Sequence, residues 1–263
     1  MELQTTDVQG RATQVAVGGE GPPLLYLHSA AGESYAWLEL LNGLAEHHEV
    51  HAPLQPGFFG SEGMESIHGM EDLLYHYLAF MDTRGWEQVD VMGSSLGGWI
   101  ALEIAARYPE RVGRLVLAAP AGIRREDVPM ADVFRLQRGQ EDQVRALLFH
   151  DPAHPLASVV VPPPERVDDE TLAAFIAAMA AVAKVAWNPY MHDPRLEGLL
   201  PRVTADTLVV WGREDRLIPP AYGERIAELV PGARLELLPD CGHLICFEKP
   251  RELLEAALAT RTR

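Results

Sequence analysis

Residues 89 to 118 alternate strand, tight turn, helix and strand in an order that few architectures accept. Val89-Asp90-Val91-Met92 is a short strand-like run, and Gly93-Ser94-Ser95-Leu96-Gly97 is a turn bounded by glycines. Trp99 to Tyr108 then carries helical spacing up to Pro109, and Leu115-Val116-Leu117-Ala118 is the next strand. A strand, helix and strand in succession form a βαβ unit, which needs parallel pairing and a right-handed crossover. The pattern returns late in the chain, with strands at Leu208–Trp211 and Leu235–Leu238 and helices at Tyr222–Leu229 and Glu252–Ala259. The fold class is therefore α/β, with a mostly parallel central sheet flanked by helices.

Before the first unit, Val15 to Val17 runs into the hairpin-type connection Gly18 to Pro22, and Leu24 to Leu27 is a buried-strand run. Residues 34 to 46 place Trp37, Leu38, Leu40, Leu41 and Leu44 at helical spacing. Glu49 to Ala52 reads as a strand, Pro53 to Gly63 as a loop, and Met70 to Met81 as an amphipathic helix. From about Gly122 to Pro201 the alternation stops. Helices are expected there at Met130–Arg138, Glu141–Phe149 and Asp169–Trp187, around the proline-rich stretch Asp151 to Pro164. The division is a core of residues 1–122 and 202–263 carrying a helical insertion, 123–201. The longest insertion helix is apolar on nearly every side, so it is expected to be covered on several of them.

With 22 basic against 38 acidic residues the chain carries a net charge of −16, which repels phosphate backbones and anionic lipid. No nucleic-acid or membrane partner is expected. The longest apolar run, Leu172 to Ala183, is too short to span a bilayer. No signal peptide is visible at the N-terminus, and two cysteines make no disulfide framework, so the expected location is cytoplasmic. Oligomeric state is left open.

The turn at 93–97 fits G-x-S-x-G in the context that gives the pattern meaning, a strand before and a helix after. A sharp bend there lifts the Ser95 hydroxyl above the sheet edge, and the following helix aims its free amides at the same place. A serine hydroxyl is a weak nucleophile at neutral pH and needs a histidine oriented by a carboxylate. Asp215 lies a short loop beyond the strand ending at Trp211, and His243 a short loop beyond the strand ending at Leu238. Glu214, Asp206 and Asp240 are rival acids, but Asp240 is too near His243 in the chain to reach its far nitrogen easily. For an oxyanion the expected donors are the backbone amides of Leu96 and of Ala30, the latter in the small-residue loop His28-Ser29-Ala30-Ala31-Gly32.

Metal binding finds no support. Cys241 and Cys246 have no second pair, and prolines 152 and 155 prevent the helix that would align His150 with His154. His47, His48 and His51 straddle a helix end and a strand and are expected on a solvated surface.

Residues 93–98, Trp211-Gly212-Arg213-Glu214-Asp215, Cys241-Gly242-His243 and His28–Gly32 together resemble the α/β-hydrolase superfamily, with residues 123–201 as its helical cap. The likeness is greatest to small bacterial serine enzymes that include carboxylesterases and carbon–carbon bond hydrolases of aromatic degradation. It implies a Ser95–His243–Asp215 triad, no metal and no organic cofactor. The chain departs from the family pattern in four places. Ser29 follows His28 where glycine is usual, Leu54 replaces an acid, Phe59 replaces a glycine, and Leu244 follows His243 where the carbon–carbon hydrolases commonly carry tryptophan. Ser95 in place of an aspartate sets aside dehalogenase and epoxide-hydrolase chemistry.

The expected activity is cleavage of an ester or related acyl bond in a small-to-medium apolar substrate, through an acyl-serine intermediate. Carbon–carbon hydrolysis of a dienoate ketone is the alternative, and a ligand-binding protein on a hydrolase scaffold the non-enzyme one. Ser29, Phe58, Phe59, Trp187 and Met191 are the pocket candidates.

Overall fold

The structure is a computed structural model, and it describes residues 1–133, 136 and 139–259. Its first two strands, β1 (Glu2–Val8) and β2 (Arg11–Gly18), form an antiparallel hairpin. Gln9 and Gly10 both take positive φ, 55° and 80°, the turn geometry whose twist matches the flanking strands. β1 carries no apolar alternation because it is a sheet edge exposed along most of its length.

The connection after β2 does not make a hairpin with β3 (Pro23–Leu27). The intervening place in the sheet belongs to β4 (Glu49–Pro53), antiparallel to β2 and parallel to β3. Gly-Gly-x-Gly-Pro thus marks a crossing rather than a tight turn, and the Glu49 N–H donates to the Pro22 carbonyl at 3.1 Å beside it. The helical spacing at 34–46 is divided between α1 (Glu33–Ala36) and α2 (Glu39–Ala45). The break falls at Trp37, φ 44°, whose indole N–H donates to Asn42 Oδ1 at 3.0 Å. His48 and His51 are buried rather than solvated, and the His51 ring stands edge-on to Trp86 with centroids 4.8 Å apart.

From β4 onward the sheet is parallel. α3 (Met70–Thr83) leads to β5 (Val89–Ser94), and α4 (Leu96–Arg107) to β6 (Val112–Ala118). Between β6 and the next strand stand α5 (Glu141–Leu148), α6 (Ala157–Val160), α7 (Asp169–Ala186) and α8 (Leu196–Leu199). The helix expected over Met130–Arg138 lies partly outside the described residues. β7 (Asp206–Gly212), α9 (Ala221–Leu229), β8 (Arg234–Leu238), α10 (Ile245–Glu248) and α11 (Pro250–Ala259) complete the chain. The eight strands run in the order β1-β2-β4-β3-β5-β6-β7-β8.

The central strands are apolar on both faces because helices cover both faces. α4 is buried from Leu96 through Ala106, and its Glu103 is held by the Trp99 indole N–H and the Arg107 guanidinium at 3.0 and 2.7 Å. α7 departs from its expected cover. Only Ala178, Ala181, Val182, Val185 and Ala186 are buried, while Leu172, Phe175 and Ile176 in its first half are exposed.

Candidate active site

The β5–α4 turn is built from contacts that only glycine permits. A Cβ on Gly93 would lie 2.4 Å from the Gly97 carbonyl oxygen, and one on Gly97 would lie 2.0 Å from that of Leu27. Between them Ser95 takes φ 49° and ψ −110°, a strained backbone for a residue with a side chain. Its neighbours hold it there. The Ser95 N–H donates to the Ala118 carbonyl at 2.9 Å, and the Ser95 carbonyl accepts from Trp99 and Ala121 N–H groups at 3.0 and 3.2 Å.

The turn presents the Ser95 hydroxyl to His243, with Oγ 2.8 Å from Nε2. His243 Nδ1 lies 2.8 Å from Asp215 Oδ2. With a carboxylate at Nδ1 the proton of a neutral imidazole sits there, which leaves Nε2 free to accept from Ser95. Asp215 is held by more than the histidine. Its Oδ2 also accepts from the Trp211 indole N–H at 3.1 Å, and its Oδ1 from the N–H groups of Leu217 and Ile218 at 2.9 Å each. All three residues are buried, Ser95 at 5% exposure and His243 at 1%.

The rival acids have other employment. Glu214 Oε2 accepts from the Cys241 N–H at 3.0 Å and so shapes the His243 loop. Asp206 faces Arg234 at 3.6 Å, and Asp240 lies 4.0 Å from His150. Glu248 accepts from the N–H groups of Gly242, His150 and Asp151 at 2.7, 2.8 and 3.2 Å, joining the histidine loop to the chain after α5. Arg216 binds the carbonyls of Ala146 and Phe149 at 3.0 and 3.3 Å, and His243 N–H donates to Leu148. α5 and the chain just after it are thus fastened to the loops that carry Asp215 and His243. Sequence reasoning passed over Glu248 and Arg216, since a surface-type charge carries no sign that its partner lies about 70 to 100 residues away.

On the other side of Ser95 lies the 28–32 loop. Among the described residues neither the Ala30 nor the Leu96 N–H has a hydrogen-bond acceptor, so both remain able to donate. His28 Nε2 accepts from the Gln55 N–H at 2.9 Å, and Nδ1–H donates to the Ser29 carbonyl at 2.6 Å. Burial pushes the His28 pKa below the ordinary 6.5, which keeps the ring neutral and able to accept at one nitrogen while donating at the other. Leu96 at the start of α4 adds the positive end of a twelve-residue helix.

The pocket candidates are dispersed in character. Phe58 is buried with its ring edge against His28, centroids 4.8 Å apart. Phe59 is 44% exposed and stacks on Tyr35 at 4.5 Å. Trp187 is exposed, and Met191 is buried at φ 56°. Ser29 is buried with its hydroxyl donating to Glu33 Oε2 at 2.6 Å and accepting from the Ala31 N–H at 3.0 Å. Cys241 and Cys246 are both free thiols whose pKa burial pushes up, so they remain protonated. No group of three His, Cys, Asp or Glu side chains among the described residues is disposed to hold a metal ion. No helix of the described residues is long and apolar enough to cross a membrane.

A 2-hydroxy-6-oxo-6-phenylhexa-2,4-dienoate hydrolase of Burkholderia cepacia is 26% identical over 254 residues, covering 88% of this chain and 84% of the relative. A 2-hydroxymuconate semialdehyde hydrolase of a Pseudomonas species is 28% identical over 260 residues, covering 89% and 84%. Among solved structures, a bacterial membrane phospholipase A superposes with a TM-score of 0.83 over 98% of this chain and 85% of its own, at 23% identity. At that identity the superposition speaks for the fold alone. The family model for the alpha/beta hydrolase fold matches residues 22–250, a span that takes in β3 through the start of α11 and every residue of the hydrogen-bonded row just described. The chain belongs to the α/β-hydrolase fold family and is a hydrolase.

Proposed function

We propose that this hydrolase cleaves an ester or related acyl bond through an acyl-enzyme on Ser95, with the segment 123–201 acting as a cap. The observation that carries the reading is the unbroken row from Ser95 Oγ through His243 to Asp215, two contacts of 2.8 Å ending on a carboxylate fixed by three further donors. Ser95 Oγ attacks the acyl carbon while its proton passes to His243 Nε2, and the oxygen that gains charge is received by the Ala30 and Leu96 amides. The imidazolium returns the proton to the departing alkoxide as the carbon–oxygen bond breaks. Water then repeats the sequence on the acyl group, giving up a proton to His243 as it adds, and Ser95 leaves with that proton. Asp215 fixes the tautomer and stabilises the imidazolium in both halves.

The substrate favoured is uncharged at its acyl end. Arg216, the cation next to Asp215 in the chain, is already committed to the backbone carbonyls of Ala146 and Phe149 at 3.0 and 3.3 Å. Ser95→Ala is expected to lower turnover of a p-nitrophenyl ester by at least about 10³-fold without changing the thermal midpoint. A fluorophosphonate should also label wild-type Ser95 with loss of fluoride. Wild-type rates in the purified variant would refute the acyl-serine reading, and a folded wild type with neither turnover nor labelling would favour a ligand-binding role.

A second reading draws on the relatives at 26% and 28% identity, both named as hydrolases of dienoate or muconate semialdehyde substrates. The same row of residues would then serve to break a carbon–carbon bond next to a ketone. Turnover of a vinylogous 1,5-diketone at a kcat/KM far above that for p-nitrophenyl esters selects this second reading.

A further inference from the structure

One buried acid near the site is used neither by the triad nor, among the described residues, by a cation. Glu33, the first residue of α1, is 3% exposed, and its three partners are all neutral donors. Its Oε1 accepts from the Ser29 N–H at 2.8 Å and from the Tyr26 hydroxyl at 2.9 Å. Its Oε2 accepts from the Ser29 hydroxyl at 2.6 Å. A carboxylate this deep in a core requires compensation, and here the loop that carries Ala30 supplies most of it.

The consequences run through one residue. Because Ser29 Oγ gives its hydrogen to Glu33, its lone pairs face the Ala31 N–H, which donates at 3.0 Å. The Ser29 carbonyl accepts from His28 Nδ1–H at 2.6 Å and from the Gly32 N–H at 3.1 Å. Every polar group of Ser29 is therefore fixed, as are the amides of Ala31 and Gly32. The amide left over is that of Ala30, and it belongs to the same peptide plane as the doubly held Ser29 carbonyl. Fixing the carbonyl end of a peptide fixes the direction of its N–H, and hydrogen bonds at the oxygen strengthen the donor.

Building on the acyl-serine reading, we propose that Glu33 is a positioning residue for the oxyanion site, acting through Ser29 to aim the Ala30 N–H. Serine at 29 and glutamate at 33 form one device. Glycine at 29 would have no hydroxyl for Glu33 to take, and an amide at 33 would present an NH₂ to the Ser29 hydroxyl, reversing that hydrogen bond and re-aiming the lone pairs that receive the Ala31 N–H.

The test uses the full chain with Glu33→Gln, Ser29→Gly and the double variant, assayed for steady-state hydrolysis of p-nitrophenyl acetate and for rate of fluorophosphonate labelling. Loss of a whole oxyanion donor costs about 10²- to 10³-fold, so a misaimed one should lower kcat by about 10- to 100-fold. KM is expected to stay within about twofold, since the donor acts on charge that develops only in the transition state. The double variant should be no slower than the slower single one, because both break the same contact. Ser29→Gly removes no buried charge partner other than its own hydroxyl, so it serves where Glu33→Gln lowers the yield of folded protein. Equal labelling and turnover in wild type and the single variants would overturn the inference alone, as would additive losses in the double variant. A wild type with neither turnover nor labelling would overturn the reading beneath it as well.

Discussion

At the scale of single residues the site is made of groups with no freedom left to them. Asp215 accepts four hydrogen bonds, two from backbone amides that fix its plane and two that put Oδ2 between the Trp211 indole and His243. An asparagine there can keep the two backbone amides on its oxygen, which leaves an NH₂ facing Nδ1 of His243. That NH₂ favours the tautomer with the proton on Nε2, the nitrogen that accepts from Ser95 in the proposed mechanism. Asp215→Asn should therefore fold normally and lower kcat by about 10³- to 10⁴-fold at neutral pH, measured on the same ester as the wild type. A loss of only a few-fold would show that His243 is oriented by something else. Gly97→Ala makes the opposite kind of demand. Its Cβ would meet the Leu27 carbonyl oxygen at 2.0 Å, where backbone cannot yield, so the variant should fail to give soluble folded protein or should lose several degrees of thermal midpoint.

At the scale of elements, α7 divides into two halves of similar composition and different fate. Val182 and Val185 are buried, whereas Phe175 and Ile176 are 50% and 58% exposed. Replacing Phe175 and Ile176 by glutamine, a good helix former, should move stability by less than about 0.5 kcal/mol per site. Val182→Ala or Val185→Ala should cost about 1–3 kcal/mol through the cavity left behind. Chemical denaturation of the four variants separates these outcomes, and a large loss from the first pair would mean that the exposed half is covered in solution. The same helix shows where sequence reading stops. Periodicity locates α7 within a residue of its ends and identifies it as apolar all round, but hydropathy says only that cover is favourable and cannot tell whether the fold supplies it. Ser95, Asp215 and His243 were legible because each follows a strong strand by a short loop, so local signals set their height at the sheet edge. Glu33, Glu248 and β1 were not. Glu248 holds the amides of His150 and Asp151, 98 and 97 residues away, Glu33 meets Ser29 and Tyr26 only through the bend between β3 and α1, and β1 is a polar edge strand whose place is assigned by its hairpin turn.

At the scale of the whole molecule, the hydrolase keeps several histidines dry. His28, His51 and His76 all lie in the interior, and burial pushes the pKa of each below 6.5. His76 is the extreme case, lowered to about 4 by burial and by the nearby Arg11 charge. Neither of its ring nitrogens has a hydrogen-bond partner among the described residues, so nothing in its surroundings compensates a proton. A histidine of this kind binds its proton more readily in the unfolded chain, so acid favours unfolding. Its contribution is complete above pH 6.5, shrinks as pH falls below that value, and stops changing below about 4. For His76 the full span corresponds to about 3 kcal/mol. Thermal midpoints should therefore fall between about pH 6.5 and pH 4, ahead of the titration of most carboxylates. His76→Leu removes the group without opening a cavity of any size and should flatten that part of the profile, whatever it does to the midpoint at neutral pH. An unchanged slope in the variant would assign the acid sensitivity to the other two, His28 and His51; protonation of His28 would set an N–H against the Gln55 amide and disturb the loop that carries Ala30.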